Sequence, residues 1–123
     1  GTLDVRMLGN SLAVTAALSG THYFNTAVGT TTTFTLPAAA VGLNYCFHES
    51  GDAAGELLVT PAAGDIIVGK THGAENGTGI ATAAGAGIKN TAATNVRGDF
   101  ACLAAMDATE WHMYTVAGVW AAQ

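Results

Sequence analysis

The side chains able to do chemistry are few and scattered: four histidines (His22, His48, His72 and His112), two cysteines (Cys46 and Cys102), nine carboxylates and four bases. Catalysis needs an acid, a base or a nucleophile converging on one reacting atom. No histidine here falls in an H-x-x-x-H or H-E-x-x-H pattern, and no C-x-x-C pair or G-x-S-x-G turn is present. Gly77-Thr-Gly79 and Gly85-Ala-Gly87 are not followed by helical periodicity, so neither reads as a phosphate cradle. The expectation is a protein that is not an enzyme, with no catalytic residue, no metal site and no cofactor. His48 and His112 fall out of phase with the aromatic residues of their strands, which places them on a solvated sheet face.

The remaining candidates read as structural. Glu49, Asp52 and Glu56 cluster about one loop, where carboxylates could hold calcium, but the spacing fits no EF-hand and a solvated acidic loop is expected. Arg97-Gly98-Asp99 spells an integrin-type tripeptide at the opening of a strand, and three residues match by chance often. Asn76-Gly77-Thr78 is a glycosylation sequon that reads here as a turn. Cys46 and Cys102 lie in apolar strand-like runs and are expected as buried free thiols, with a cross-strand disulfide as the alternative. Trp111 and Trp120 could stack on a sugar. Trp111 alternates with Met113 and is expected as a core or interface anchor; Trp120 either pins the last strand or contacts a neighbouring subunit.

Charge excludes two partner classes. The formal net charge is −5, and the bases Arg6, Lys70, Lys89 and Arg97 form no run. Nucleic-acid binding needs several bases to neutralise phosphates, and anionic membranes make the same demand. Neither partner is expected. No apolar run reaches the ~18 residues of a membrane helix, and the first nine residues lack the charged and apolar regions of a signal peptide. A product of the cytosol is the simplest expectation.

The elements that would position these residues are short strands. Small residues dominate, with 25 Ala, 17 Thr and 16 Gly, so thin layers and many turns are expected rather than a large aromatic core. Turn punctuation every eight to twelve residues is the signature of a sandwich or barrel. Strands are expected near residues 12–18, 22–26, 30–36, 43–49, 56–60, 65–68, 88–91, 99–106, 110–116 and 119–122. Leu43, Tyr45 and Phe47 alternate onto one face. Pro61 to Gly64 makes a turn, and Asp107-Ala-Thr109 a three-residue hairpin loop. Residues 1–11 read as an arm and 12–123 as one domain, an all-β antiparallel sandwich, in its most specific form a jelly roll. The expected core is Leu12, Val14, Phe34, Leu36, Tyr45, Phe47, Leu58, Ile66, Phe100, Leu103, Trp111 and Val116.

Three segments carry a resemblance: Thr33-Phe-Thr-Leu-Pro-Ala-Ala-Ala-Val-Gly-Leu-Asn-Tyr-Cys-Phe47, Leu58-Val-Thr-Pro-Ala-Ala-Gly-Asp-Ile-Ile-Val-Gly69 and Ala105-Met-Asp-Ala-Thr-Glu-Trp111. Together they resemble a small β-sandwich module of tailed-bacteriophage virion proteins, over residues 12–120. The resemblance implies a capsid decoration, or cement, protein on the outer surface of a phage head, bound to the major capsid protein across capsomer joints as a homo-dimer or homo-trimer. Its alternative is a tail or fibre module binding a host-surface carbohydrate. Contacts are expected from three stretches: the arm (Leu3, Val5, Met7 and Leu8), the loop 69–87 (Lys70, Thr71 and His72) and the tail (Val119 and Trp120).

Overall fold

The computed structural model describes residues 3–51, 55–70, 79–91 and 94–123. The chain is all-β, with two sheets packed face to face and one short 3-10 turn at Ala16–Leu18. The strands are β1 (Val5–Leu8), β2 (Leu12–Ala13), β3 (His22–Asn25), β4 (Thr32–Thr35), β5 (Asn44–Glu49), β6 (Leu57–Thr60), β7 (Ile66–Lys70), β8 (Gly79–Ala81), β9 (Ile88–Asn90), β10 (Phe100–Ala105), β11 (Glu110–Ala117) and β12 (Trp120–Ala122). A seven-stranded sheet runs in the order β1-β3-β5-β10-β11-β7-β8, and a five-stranded sheet in the order β12-β9-β6-β4-β2.

The first half of the chain winds as a flattened coil. Strands β1 to β6 alternate between the two sheets, and each pairs in parallel with the strand two places on: β1 with β3, β3 with β5, β2 with β4 and β4 with β6. Parallel neighbours need a crossover. Here the strand of the opposite sheet supplies it, where most folds use a helix. The second half closes the coil, as β10 adds antiparallel to β5 and β9 antiparallel to β6. The sheets are therefore mixed, not wholly antiparallel as expected, and coil-then-closure is not jelly-roll connectivity. Alternation within single strands reports burial, not the direction of neighbours, so this correction lay beyond the pattern. The anticipated arm is also partly structural, since Val5–Leu8 forms an edge strand in register with His22 to Asn25.

The core follows the alternation where it is strong. Tyr23, Phe34, Tyr45 and Phe47 interlock with ring centroids 5.4 to 6.4 Å apart, and Trp111 meets Tyr45 at 5.9 Å. Val14, Leu36 and Leu103 are buried as expected, while Leu12 and Val116 pack against the core half-buried. Leu58, Ile66 and Phe100 instead face outward, and Leu57, Val59, Ile67 and Ala101 take the inner positions. In Leu57-Leu58-Val59 and Ile66-Ile67 apolar residues are adjacent, so either phase buries carbon and pairing with neighbours decides. Phe100 stands an odd number of residues from Leu103, so a regular strand cannot bury both on one face.

Turns form where their chemistry demands. Gly64 adopts φ 89°, which closes the Pro61–Gly64 turn and is costly for any residue with a Cβ. Asp107 Oδ1 accepts from the Thr109 N–H at 2.8 Å, and the Met106 N–H donates to the Glu110 carbonyl at 2.9 Å, closing the β10–β11 hairpin. Gly87 lies so close to β6 that a Cβ would collide with the Val59 carbonyl.

Candidate functional site

The outer face of the seven-stranded sheet gathers what the sequence scatters. On β3, His22 and Phe24 point away from the core; on β5, Cys46 and His48 do so, because Tyr45, Phe47 and Glu49 take the inner phase. Register sets His22 beside Cys46, Cys46 opposite Cys102, and His48 opposite Phe100. Cys46 and Cys102 are bonded as a disulfide with Cα atoms 4.0 Å apart, so the free-thiol expectation is corrected. The reason is register: direct opposition in an antiparallel pair brings the two side chains together, which a separation of 56 positions along the chain conceals. Val5 and Met7 extend the face to the edge, and Tyr114 borders it with its hydroxyl 3.9 Å from Cys46 Sγ.

The two histidines form a pair. His22 Nδ1 and His48 Nε2 lie 2.9 Å apart, close enough for one N–H to donate to the other ring's lone pair. The His48 ring stacks on Phe24 with centroids 4.1 Å apart and planes 6° from parallel, and Phe100 stands 5.5 Å away on its other side. Ligand atoms of His22, Cys46 and His48 all lie within 4.8 Å of one another.

Burial, and after it the neighbouring His22, hold the His48 imidazole down to about 4 from its ordinary 6.5. The folded state thus binds a proton less readily than the unfolded one. Its contribution to stability is complete above pH 6.5 and is lost as pH falls through 4. His22 on β3 is the titratable group facing it; Cys46 beside it is locked in the disulfide, and Phe24 and Phe100 carry no charge. Between pH 7 and pH 4 the wild type should lose about 1–2 kcal/mol more stability than His48→Phe, solvent screening included. Urea unfolding at both pH values measures the difference, and equal pH dependence of the two proteins would contradict the assignment.

The other candidates resolve structurally. Glu49 is buried, not solvated: it accepts from Asn25 Nδ2 at 3.2 and 3.3 Å and from the Gly51 N–H at 3.0 Å, and burial raises its pKa. Asp52, its expected loop neighbour, lies outside the described residues, as do Thr71, His72 and the Asn76–Thr78 sequon. Asp99 of the Arg-Gly-Asp tripeptide is buried and accepts from the Val96 N–H and Asn90 Nδ2 at 2.9 and 3.1 Å, so its carboxylate is not offered to a partner. His112 pairs with Glu110 at 2.6 Å on an open strand surface. Its register neighbours are Ala104 and Val68, neither of which carries a nucleophile. A shallow surface depression lined by Thr26, Val28, Ser50, Gly51 and Arg97 likewise presents no acid–base pair among the described residues.

Of the expected contact residues, Leu3, Val5 and Met7 are exposed, while Leu8 turns half-inward against the core. Lys70 ends β7 in register with Gly79. Val119 is exposed, but Trp120 is only 1 % exposed and belongs to the core, because its strand pairs with β9 and its indole N–H donates to the Ala117 carbonyl. Arm and tail do not meet, since β1 and β12 lie at opposite ends of their sheets. No known protein family and no curated protein matches the chain.

Proposed function

We propose that this chain is a non-catalytic binding module that acts as a capsid cement protein of a tailed phage, docking through the outer face of its seven-stranded sheet and the open edge β1. One observation supports the docking surface above others: large apolar side chains stand exposed along it, Val5 at 45 %, Met7 at 70 % and Tyr114 at 57 %, with half-buried Phe24 and Phe100 between them. From β1 to β11 the face crosses four strand spacings, about 19 Å. Clustered apolar surface of this kind marks interaction sites. Charge is sparse over the whole chain, as it is at the cores of interfaces. Among the described residues no strand pairs with the outer side of β1, so β-augmentation by an incoming strand is a natural mode of attachment. The virion assignment rests on the resemblance of residues 12–120 to phage modules.

The carbohydrate reading has less support. It calls for a solvent-open Trp or Tyr beside polar side chains; Trp111 and Trp120 are sealed in the core at 0 and 1 % exposure, which leaves Tyr114 as an open aromatic.

Met7→Asp tests the docking surface. Binding to particles stripped of the protein should weaken by about tenfold or more, because a charge at an apolar contact must be desolvated without a partner. Thermal stability should stay unchanged, since the side chain is exposed. Val41→Asp, equally exposed on the loop before β5, should bind as the wild type does. Co-sedimentation reads both. Full binding by Met7→Asp would remove this face from the account.

A further inference from the structure

The outer face brings ligand-type atoms of His22, Cys46 and His48 within 4.8 Å of one another, with Cys102 Sγ bonded to Cys46, while sequence patterns gave no hint of a metal. We propose that, once the Cys46–Cys102 bond is reduced, His22, His48, Cys46 and Cys102 form a tetrahedral zinc site. The chain would then carry either a disulfide or a metal ion at the same position.

The placement follows from register. His22, Cys46 and Cys102 sit side by side on three adjacent strands, β3, β5 and β10, and His48 stands one pleat further along β5. A strand framework holds ligands more firmly than loops do. Zinc–sulfur and zinc–nitrogen bonds of about 2.3 and 2.0–2.1 Å imply ligand atoms about 3.3 to 3.8 Å apart in a tetrahedron. His22 Nδ1 and His48 Nε2, at 2.9 Å, need part only slightly. The cluster of His22, Cys46 and His48 lies within 4.8 Å, so its longest separation need close by only about 1 Å through side-chain rotation. Cys102 Sγ, bonded to Cys46 Sγ but outside that cluster, would turn toward the histidines once the bond opens.

The ligand chemistry selects the ion. Two thiolates and two neutral imidazoles suit zinc, and the complex carries no net charge in a half-buried setting. Phe24 and Phe100 flank His48 and would shield the ion, and the Tyr114 hydroxyl is placed to donate to Cys46 Sγ. The steps balance. A small dithiol supplies two electrons and two protons, the disulfide becomes two thiols, and the dithiol closes to its cyclic disulfide. Zinc then displaces two protons from the thiols, so binding tightens as pH rises. With the disulfide intact only two imidazoles remain.

Cobalt(II) makes the test visible. The full chain is reduced with dithiothreitol, desalted without oxygen and titrated with cobalt, then with zinc. One equivalent per chain should produce the intense visible bands of a tetrahedral ion and a thiolate-to-cobalt charge-transfer band, both abolished by zinc. The oxidised chain should bind at least 100-fold more weakly. His22→Ala and His48→Phe, the latter keeping a ring between Phe24 and Phe100, should each weaken binding at least tenfold. Should the reduced chain be unfolded without metal, one equivalent of zinc should restore its β circular dichroism. Absence of a charge-transfer band, equal binding by the oxidised chain, unchanged affinity in both histidine variants, or a reduced chain that takes up no metal would each overturn the proposal.

Discussion

Replacing Cys46 and Cys102 together by serine should lower the stability of the oxidised protein by about 2–4 kcal/mol. The bond joins residues 56 apart, so it removes a large share of the freedom of the unfolded chain. It also ties β5 to β10, where the coiled first half meets the second half. Losing it should loosen that seam first, before the strands at either edge. Native stabilities of small domains are about 5–15 kcal/mol, so this change removes a large fraction of the total. Urea unfolding of wild type and double variant, without reductant, measures it. A difference below ~0.5 kcal/mol would mean that the bond does not form in solution. The same titration with reductant should bring the wild type down toward the variant when zinc is absent.

Trp111→Ala should cost about 3–5 kcal/mol, the largest effect of any single substitution here. The indole is fully buried, packs against Tyr45 and fills the inner face of β11 opposite Ala105. Removing it opens a void that neighbours held on two rigid sheets cannot close. Trp111→Phe should cost much less. It keeps most of the apolar volume and removes an indole N–H that finds no partner among the described residues. Thermal unfolding of the two variants gives the comparison. Equal losses would place the importance of Trp111 elsewhere than in volume.

How much could be read in advance depended on the range of the interactions involved. The face of Leu43, Tyr45 and Phe47 and the Asp107–Thr109 hairpin were legible because alternation and turn chemistry act within a few residues. The phase of Leu57 to Val59 and of Ile66-Ile67 was not, since adjacent apolar residues leave two equivalent burial patterns. Parallel pairing of β1 to β6 was invisible for a related reason: each strand pairs with one a full coil away, and no local signal records its direction. Val5–Leu8 looked like an arm because an edge strand buries little. His22, Cys46, His48 and Cys102 meet only through cross-strand register, so pattern searches along the chain pass over them. The burial of Glu49 was hidden likewise, because Asn25, its partner, comes from the strand alongside.

The proposed function is that of a binding module coating a phage head through the outer face of the larger sheet. The most direct measurement is the number of copies of this chain per major capsid protein in purified particles, by quantitative mass spectrometry with labelled standards. A fixed ratio, with copies comparable in number to capsomers, is the expected result. Absence of the chain from purified particles, or only a few copies in each, would contradict it.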